Sequence, residues 1–150
     1  MESRSVITFC LVTLVALVGC STAEGPPTAG EAKDFASACD KANDGKRIAL
    51  EGFLRLPDKF TGTQGVVLRL YKADDFKSMP IGVSFKMGNQ ANQMEYAPLK
   101  YTDKDLKVHL SNGQIVGFGT KVKVSGKMYF PIVAQEFSCA LSNPLVELAK

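Results

Sequence analysis

Thr120-Lys-Val-Lys-Val-Ser-Gly-Lys-Met-Tyr-Phe130 is the stretch on which the fold turns. Val122, Val124 and Met128 point one way and Lys121, Lys123 and Lys127 the other, the period of two that side chains take along a pleated strand. Gly126 sits inside this alternation, and a glycine within a strand marks a bulge, a sharp coil or a close backbone approach. Pro131 ends the strand. A half-buried strand interrupted in this way predicts a curved sheet wrapped around a core.

The same pattern recurs upstream. Ile48, Leu50, Leu54 and Leu56 share a face opposite Glu51 and Arg55, with Gly52 interrupting and Pro57-Asp58 closing the strand. Thr61-Gly-Thr-Gln-Gly65 turns the chain into a second strand carrying Val66, Leu68 and Leu70, which runs to Lys72. Asp74-Asp75 and Met79-Pro80 bound a connector. Ile81, Val83, Phe85 and Met87 then predict a third strand, stopped by Gly88-Asn89. Asn89 to Asp105 is the least regular part, a long loop containing Tyr96, Pro98 and Tyr101. Leu106, Val108 and Leu110 alternate briefly before the tight-turn signal Ser111-Asn112-Gly113, after which Ile115-Val116 returns as a hairpin. Beyond the opening stretch, Val133 to Leu141 reads as a last strand carrying Phe137 and Cys139. Asn143-Pro144 sets it off from a short apolar tail, Leu145 to Leu148. On the N-terminal side, Glu31 to Asn43 has helical spacing, with Phe35 and Cys39 four apart and Gly45 as a stop.

Five or six coiled strands, glycines inside two of them and one long excursion after the third predict a mostly β fold. The expected form is a small closed barrel with one short N-terminal helix, because closure removes exposed edges. Ile48-Ala-Leu-Glu-Gly52-Phe-Leu54, Gly119-Thr-Lys-Val-Lys-Val-Ser-Gly126-Lys-Met128 and the last strand with Cys139 resemble the OB-fold families. In particular they resemble the tRNA-anticodon-binding-like OB domains of bacterial exported proteins and lipoproteins. The likeness covers about Phe35 to Leu141 and departs from the family pattern in the long Asn89 to Gly117 stretch. Such folds bind through their second and third strands. The resemblance therefore implies a ligand site at Arg69, Tyr71 and Lys72 on one strand and Phe85 and Lys86 on the next. OB folds often hold nucleic acid on aromatic and basic side chains. Outside the cytoplasm the same patch would take a peptide, a glycan or another envelope protein, and nucleic acid is not the expected partner.

Leu17-Val18-Gly19-Cys20 resembles a bacterial lipobox, in which the Cys is lipidated and becomes the first residue of the mature protein. Ahead of it, Met1 to Arg4 is a weakly positive head, and Val6 to Val18 is apolar except for Thr8 and Thr13. A run of this length suits a signal segment, since a spanning helix needs about 20 residues. The plainer alternative is an ordinary secretory peptide in which Cys20 is incidental. The chain thus divides into a signal peptide at 1–19, a lipidated tether at 20–30 and a single domain at 31–150. Ser21, where inner-membrane retention would favour Asp, implies the outer membrane and a periplasmic face if the host has two membranes. Ser21 to Gly30, all small residues, prolines and one Glu, predicts a mobile tether. Each buried methylene of an acyl chain contributes about 0.8 kcal/mol, so several chains on one Cys anchor the domain firmly.

Removal of the leader leaves 131 of the 150 residues and a net charge of +3, spread without blocks. That is one domain, and it lacks the dense basic stripe of a nucleic-acid binder. Of the four cysteines, Cys10 leaves with the leader and Cys20 carries lipid. In an oxidising compartment Cys39 and Cys139 are most simply a disulfide, the alternative being two free thiols, one of them catalytic. His109 is the sole histidine, no Cys-x-x-Cys occurs, and Ser84, Ser111, Ser125 and Ser138 lie outside any Gly-x-Ser-x-Gly. Gly113, Gly117 and Gly119 fit no phosphate-loop spacing, and no cofactor is expected. The paired carboxylates are Asp74-Asp75 and Asp103-Lys-Asp105, read as solvated loop charge. The expected class is a membrane-tethered, non-catalytic binding module. The competing class is a hydrolase or metal-assisted enzyme using Asp103 and Asp105, and the third is a purely structural envelope lipoprotein.

Overall fold

A computed structural model of the chain describes residues 24–132 and 137–150. The lipobox reading falls on residues outside these. The elements in order are β1 (Glu31–Ala32), α1 (Phe35–Ala38), a 3-10 turn (Lys41–Asn43), β2 (Arg47–Arg55), β3 (Gly65–Tyr71), β4 (Ile81–Met87) and β5 (Gln93–Met94). A second 3-10 turn (Asp103–Asp105), β6 (Val108–His109), β7 (Ile115–Val116), β8 (Lys121–Tyr129) and β9 (Ala140–Leu148) follow.

Five strands close into a barrel. β2 pairs antiparallel with β3 and β3 with β4; β4 lies parallel to β9; β9 runs antiparallel to β8, and β8 antiparallel to β2. One circuit shows how so few strands close. Ala140 is level with Gly82, Arg69 and Arg55 on one side. On the other side it pairs with Tyr129, two residues past the Lys127–Arg47 pair and so level with Gly45. The offset between Gly45 and Arg55 is a large stagger, which tilts the strands steeply and narrows the interior until side chains fill it. Leu50, Leu68, Leu70, Val83, Val122, Val124, Met128 and Leu141 do so, all fully buried. The small strands β5, β6 and β7 extend the sheet beyond the open side of β4, and Gly113 in the left-handed region, φ 84°, makes the β6–β7 turn that Ser111-Asn112-Gly113 signals.

Four barrel strands, β2, β3, β4 and β8, stand where the alternation puts them. The last differs. β9 runs from Ala140 to Leu148, so the expected tail is the strand itself, and most of the expected 133–141 strand lies ahead of it, with 133–136 outside the described residues. Asn143-Pro144 does not end the strand because it falls in a bulge: Ser125 pairs with Leu145 and Lys127 with Ser142, leaving both residues opposite Gly126. There the missing N–H of proline breaks no ladder bond. The expected 31–43 helix is also cut down. Glu31 and Ala32 pair with Ile48 and Ala49, leaving a single turn of helix and a 3-10 turn. Phe35 and Cys39 still pack on the core.

Cys39 and Cys139 form a disulfide with Cα atoms 5.5 Å apart, joining the end of α1 to the start of β9 across 100 residues. The described part of the expected tether is not free. Gly25 and Thr28 accept hydrogen bonds from Asn143 and Arg47. Among the described residues no helix is long and apolar enough to cross a membrane.

Candidate functional site

The outer face of β2 and β3 ends in two arginines. Arg55 and Arg69 are cross-strand partners, and two adjacent guanidinium groups repel unless each is paired. Asp58, from the loop after β2, takes Arg69 in a fork, with Nη1 and Nη2 donating at 3.1 and 3.0 Å. Asp103, from the second 3-10 turn, takes Arg55 through Nε and Nη2 at 2.8 and 2.6 Å. Hydrogen bonding from Arg69, and then its charge, holds the Asp58 carboxyl below its ordinary range. Donation to the Asp103 carboxylate raises the Arg55 guanidinium still further. Arg55 also lies over the Phe76 ring, 5.0 Å from its centroid. Phe76 in turn meets Tyr71 edge-on and stacks on Phe118, both at 5.3 Å.

These contacts place the expected site residues. Arg69 and Tyr71 share the outer face but are buried, Arg69 against Asp58 and Tyr71 under Phe76. Lys72 and Lys86 are exposed. Phe85 is in the barrel interior, 2 % exposed, because successive strand residues face opposite ways and Lys86 takes the outside. Phe85 therefore cannot stack a ligand on the outer face, and the five residues form no common surface.

An apolar groove lies next to them. The loop after β2 and the stretch after β5 enclose about 480 Å³ between Phe60, Met87, Tyr96, Pro98, Leu99 and Tyr101. Phe60 and Tyr101 meet edge-to-face at 4.7 Å, and Tyr101 is fixed by donating its hydroxyl to the Pro57 carbonyl at 2.6 Å. Burial, with the nearby Asp58 charge adding to it, pushes the Tyr101 phenol upward. Tyr96 and Leu99 are 66 % and 104 % exposed, a costly pair of apolar side chains to leave in water. Asn89 to Asp105 was expected as an irregular loop with Tyr96, Pro98 and Tyr101 in it. Met87 is expected only as the end of the third strand, and Phe60 and Leu99 carry no expectation, although an aromatic directly ahead of a Thr/Gly-rich turn is itself a signal.

No family model, no curated protein and no solved structure matches this chain.

The remaining polar groups are held by one another. Asp105 accepts from the Thr102 backbone N–H at 2.8 Å and its hydroxyl at 3.2 Å, closing the 3-10 turn. With Asp103 on Arg55, neither carboxylate of the competing enzyme reading is set against the other. His109 Nε2 is 3.0 Å from Glu95 Oε1, and Lys107 Nζ is 3.6 Å from Oε2, at the foot of the β5–β6 ladder. Ser84 and Tyr129 share a hydrogen bond of 2.9 Å across the outside of β9. Among the described residues no group of three or more His, Cys, Asp and Glu could hold a metal.

Proposed function

We propose that this protein is an envelope lipoprotein, acylated on Cys20 and attached to the outer membrane, facing the periplasm. Its barrel is a non-catalytic module that binds an apolar polypeptide segment of another envelope protein between Phe60 and Leu99. The observation that carries the binding reading is the groove itself. Its walls are mainly aromatic and aliphatic, with Asp58, Lys59 and Thr63 along one side; two of its apolar side chains stand in water, and its aromatic floor is held by a short hydrogen bond. A preformed apolar site of this kind suits a side chain such as Leu or Phe on an extended peptide. Phosphate or glycan is less well served: the arginines at the border are clamped by Asp58 and Asp103, and Lys59 is the one cation among the lining residues. The anchoring reading is supported by the Leu17-Val18-Gly19-Cys20 pattern, the preceding apolar run, and the Cys39–Cys139 disulfide, which suits an oxidising compartment.

The test is selection of peptides from a random library on the purified domain, followed by NMR titration. The expected result is amide shifts confined to the residues around Phe60 and Tyr96, and an affinity lowered about tenfold or more by Leu99→Asp. Failure to select any peptide, or shifts mapping to another surface, overturns the reading.

A further inference from the structure

Phe60 and Tyr101, the two rings that meet at 4.7 Å on the floor of the groove, are each preceded by a lysine. Lys59 stands on the loop after β2 and lines the groove. Lys100 stands on the stretch after β5, exposed between two lining residues, Leu99 and Tyr101. Each wall therefore carries one cation. The carboxylates around the groove are already engaged. Both oxygens of Asp58 accept from Arg69, and Asp103 accepts twice from Arg55. Glu95, next to Tyr96 in the chain, faces His109 at 3.0 Å and Lys107 at 3.6 Å. Asp105 accepts from the Thr102 backbone and hydroxyl, with Lys104 beside it in the chain. The side chains of Lys59 and Lys100, by contrast, make no ion pair or hydrogen bond among the described residues. Cations left without a partner at the rim of an apolar patch select an occupant of opposite charge.

We infer that the segment bound in the groove is acidic: its apolar anchor carries a carboxylate on either side, one for Lys59 and one for Lys100. This rests on the peptide-binding reading proposed above. Residues of an extended peptide advance about 3.3 Å each, so a Glu or Asp a few positions from the anchor comes within reach of a flexible lysine stem. Two point charges on opposite walls, with an apolar floor between them, suit two separate carboxylates. A single compact anion would need donors converging on it. Ion pairs in contact with water contribute only about a few-fold each, so the apolar contact supplies the binding and the lysines choose among sequences. A basic segment with the same anchor meets a like charge on both walls and is disfavoured.

The experiment uses the full chain in phosphatidylcholine nanodiscs, whose lipid carries no net charge. Three labelled peptides of about twelve residues share a central Leu-Phe and are flanked by Glu, by Gln or by Lys, and binding is read by fluorescence anisotropy. The expected order is Glu, then Gln, then Lys, with about tenfold between first and last at low salt and a much smaller gap at about 0.5 M salt. Lys59→Gln combined with Lys100→Gln is expected to bring the three peptides within about twofold of one another. Leu99→Ser, which changes no charge, is expected to weaken all three and keep their order. Equal affinities in the wild type, each weakened by Leu99→Ser, overturn the acidic preference and leave the groove reading standing. A preference for the Glu peptide that survives loss of both lysines overturns their role. Absence of binding by all three peptides, or binding untouched by Leu99→Ser, overturns the groove reading and this inference with it.

Discussion

A methyl group on Gly52 would run into the carbonyl oxygen of Tyr71 on the neighbouring strand. Backbone is in the way, so no rotamer change relieves the clash. Gly52→Ala is expected to destabilise the barrel by about 3 kcal/mol, read as a lower urea midpoint with an unchanged slope; an unaltered midpoint would mean that β2 and β3 can part locally. Asp58 makes the second argument at this scale. Its pKa is lowered from 3.8 by Arg69, so its contribution to stability is complete above that value and is lost as pH falls through the lower folded value. The wild type should therefore lose more stability than Asp58→Asn on acidification below about pH 5, the two converging in strong acid. Because Asp58 is largely exposed, added salt should shrink the difference at neutral pH. Urea titrations across that range check both; parallel curves would show that the fork contributes nothing measurable. The five expected ligand residues do not share one exposed face, for a reason equally local. Phe85 and Lys86 are consecutive in a strand and cannot share a face, and burial of Arg69 depends on Asp58, eleven positions away in a loop whose path periodicity does not reveal.

Elements were legible where alternation was sustained. β2, β3, β4 and β8 carry large apolar residues at every second position, with only Gly52 and Gly126 interrupting the series, and each lies within a residue or two of its expected bounds. β9 was obscured because Asn143-Pro144 has the chemistry of a strand end, and only the register with Gly126 turns it into a bulge. The helix was overread because Ala32, Phe35, Ala36 and Cys39 satisfy helical spacing, while the pairing of Glu31 and Ala32 with β2 is a tertiary fact that local spacing does not contain. The groove was half visible, its aromatics noticed as a loop, since the approach of Phe60 to Tyr101 needs the barrel to bring the two loops together. The disulfide is an element-scale brace that the sequence did predict. It closes a 100-residue span and locks the chain on either side of the barrel into one unit. Replacing both Cys39 and Cys139 by Ala is expected to cost about 2–5 kcal/mol by urea unfolding, through the looser unfolded chain and the lost packing of Cys139. A variant as stable as the wild type would show that the ladders alone determine the stability.

For the barrel as a whole, the weak point is where it closes. β2 and β8 share seven consecutive residue pairs, from Arg47–Lys127 to Phe53–Lys121. β4 and β9 share two, Gly82–Ala140 and Val83–Leu141, in the parallel arrangement that is somewhat less stable per residue. Just beyond them a cavity of about 330 Å³ separates Ser84 and Phe85 from Ser142 and Asn143, and β5 takes over the edge of β4 from Lys86 onward. Opening this seam breaks few hydrogen bonds, whereas opening β2 from β8 disrupts the whole core. Sub-global opening follows such gradients. The disulfide lies against the seam, since the Gly82 N–H donates to the Cys139 carbonyl at 3.1 Å and Ala140 comes next. In native-state hydrogen exchange, Gly82 is expected to exchange ahead of the amides of the β2–β8 ladder. Mild reduction of Cys39–Cys139 should lower the protection of Gly82 much more than that of the β2–β8 amides, because it frees one lip of the seam without touching the far wall. If every amide instead exchanged with one common free energy before and after reduction, the barrel would be opening as a unit, and the two-pair seam would not be where it begins.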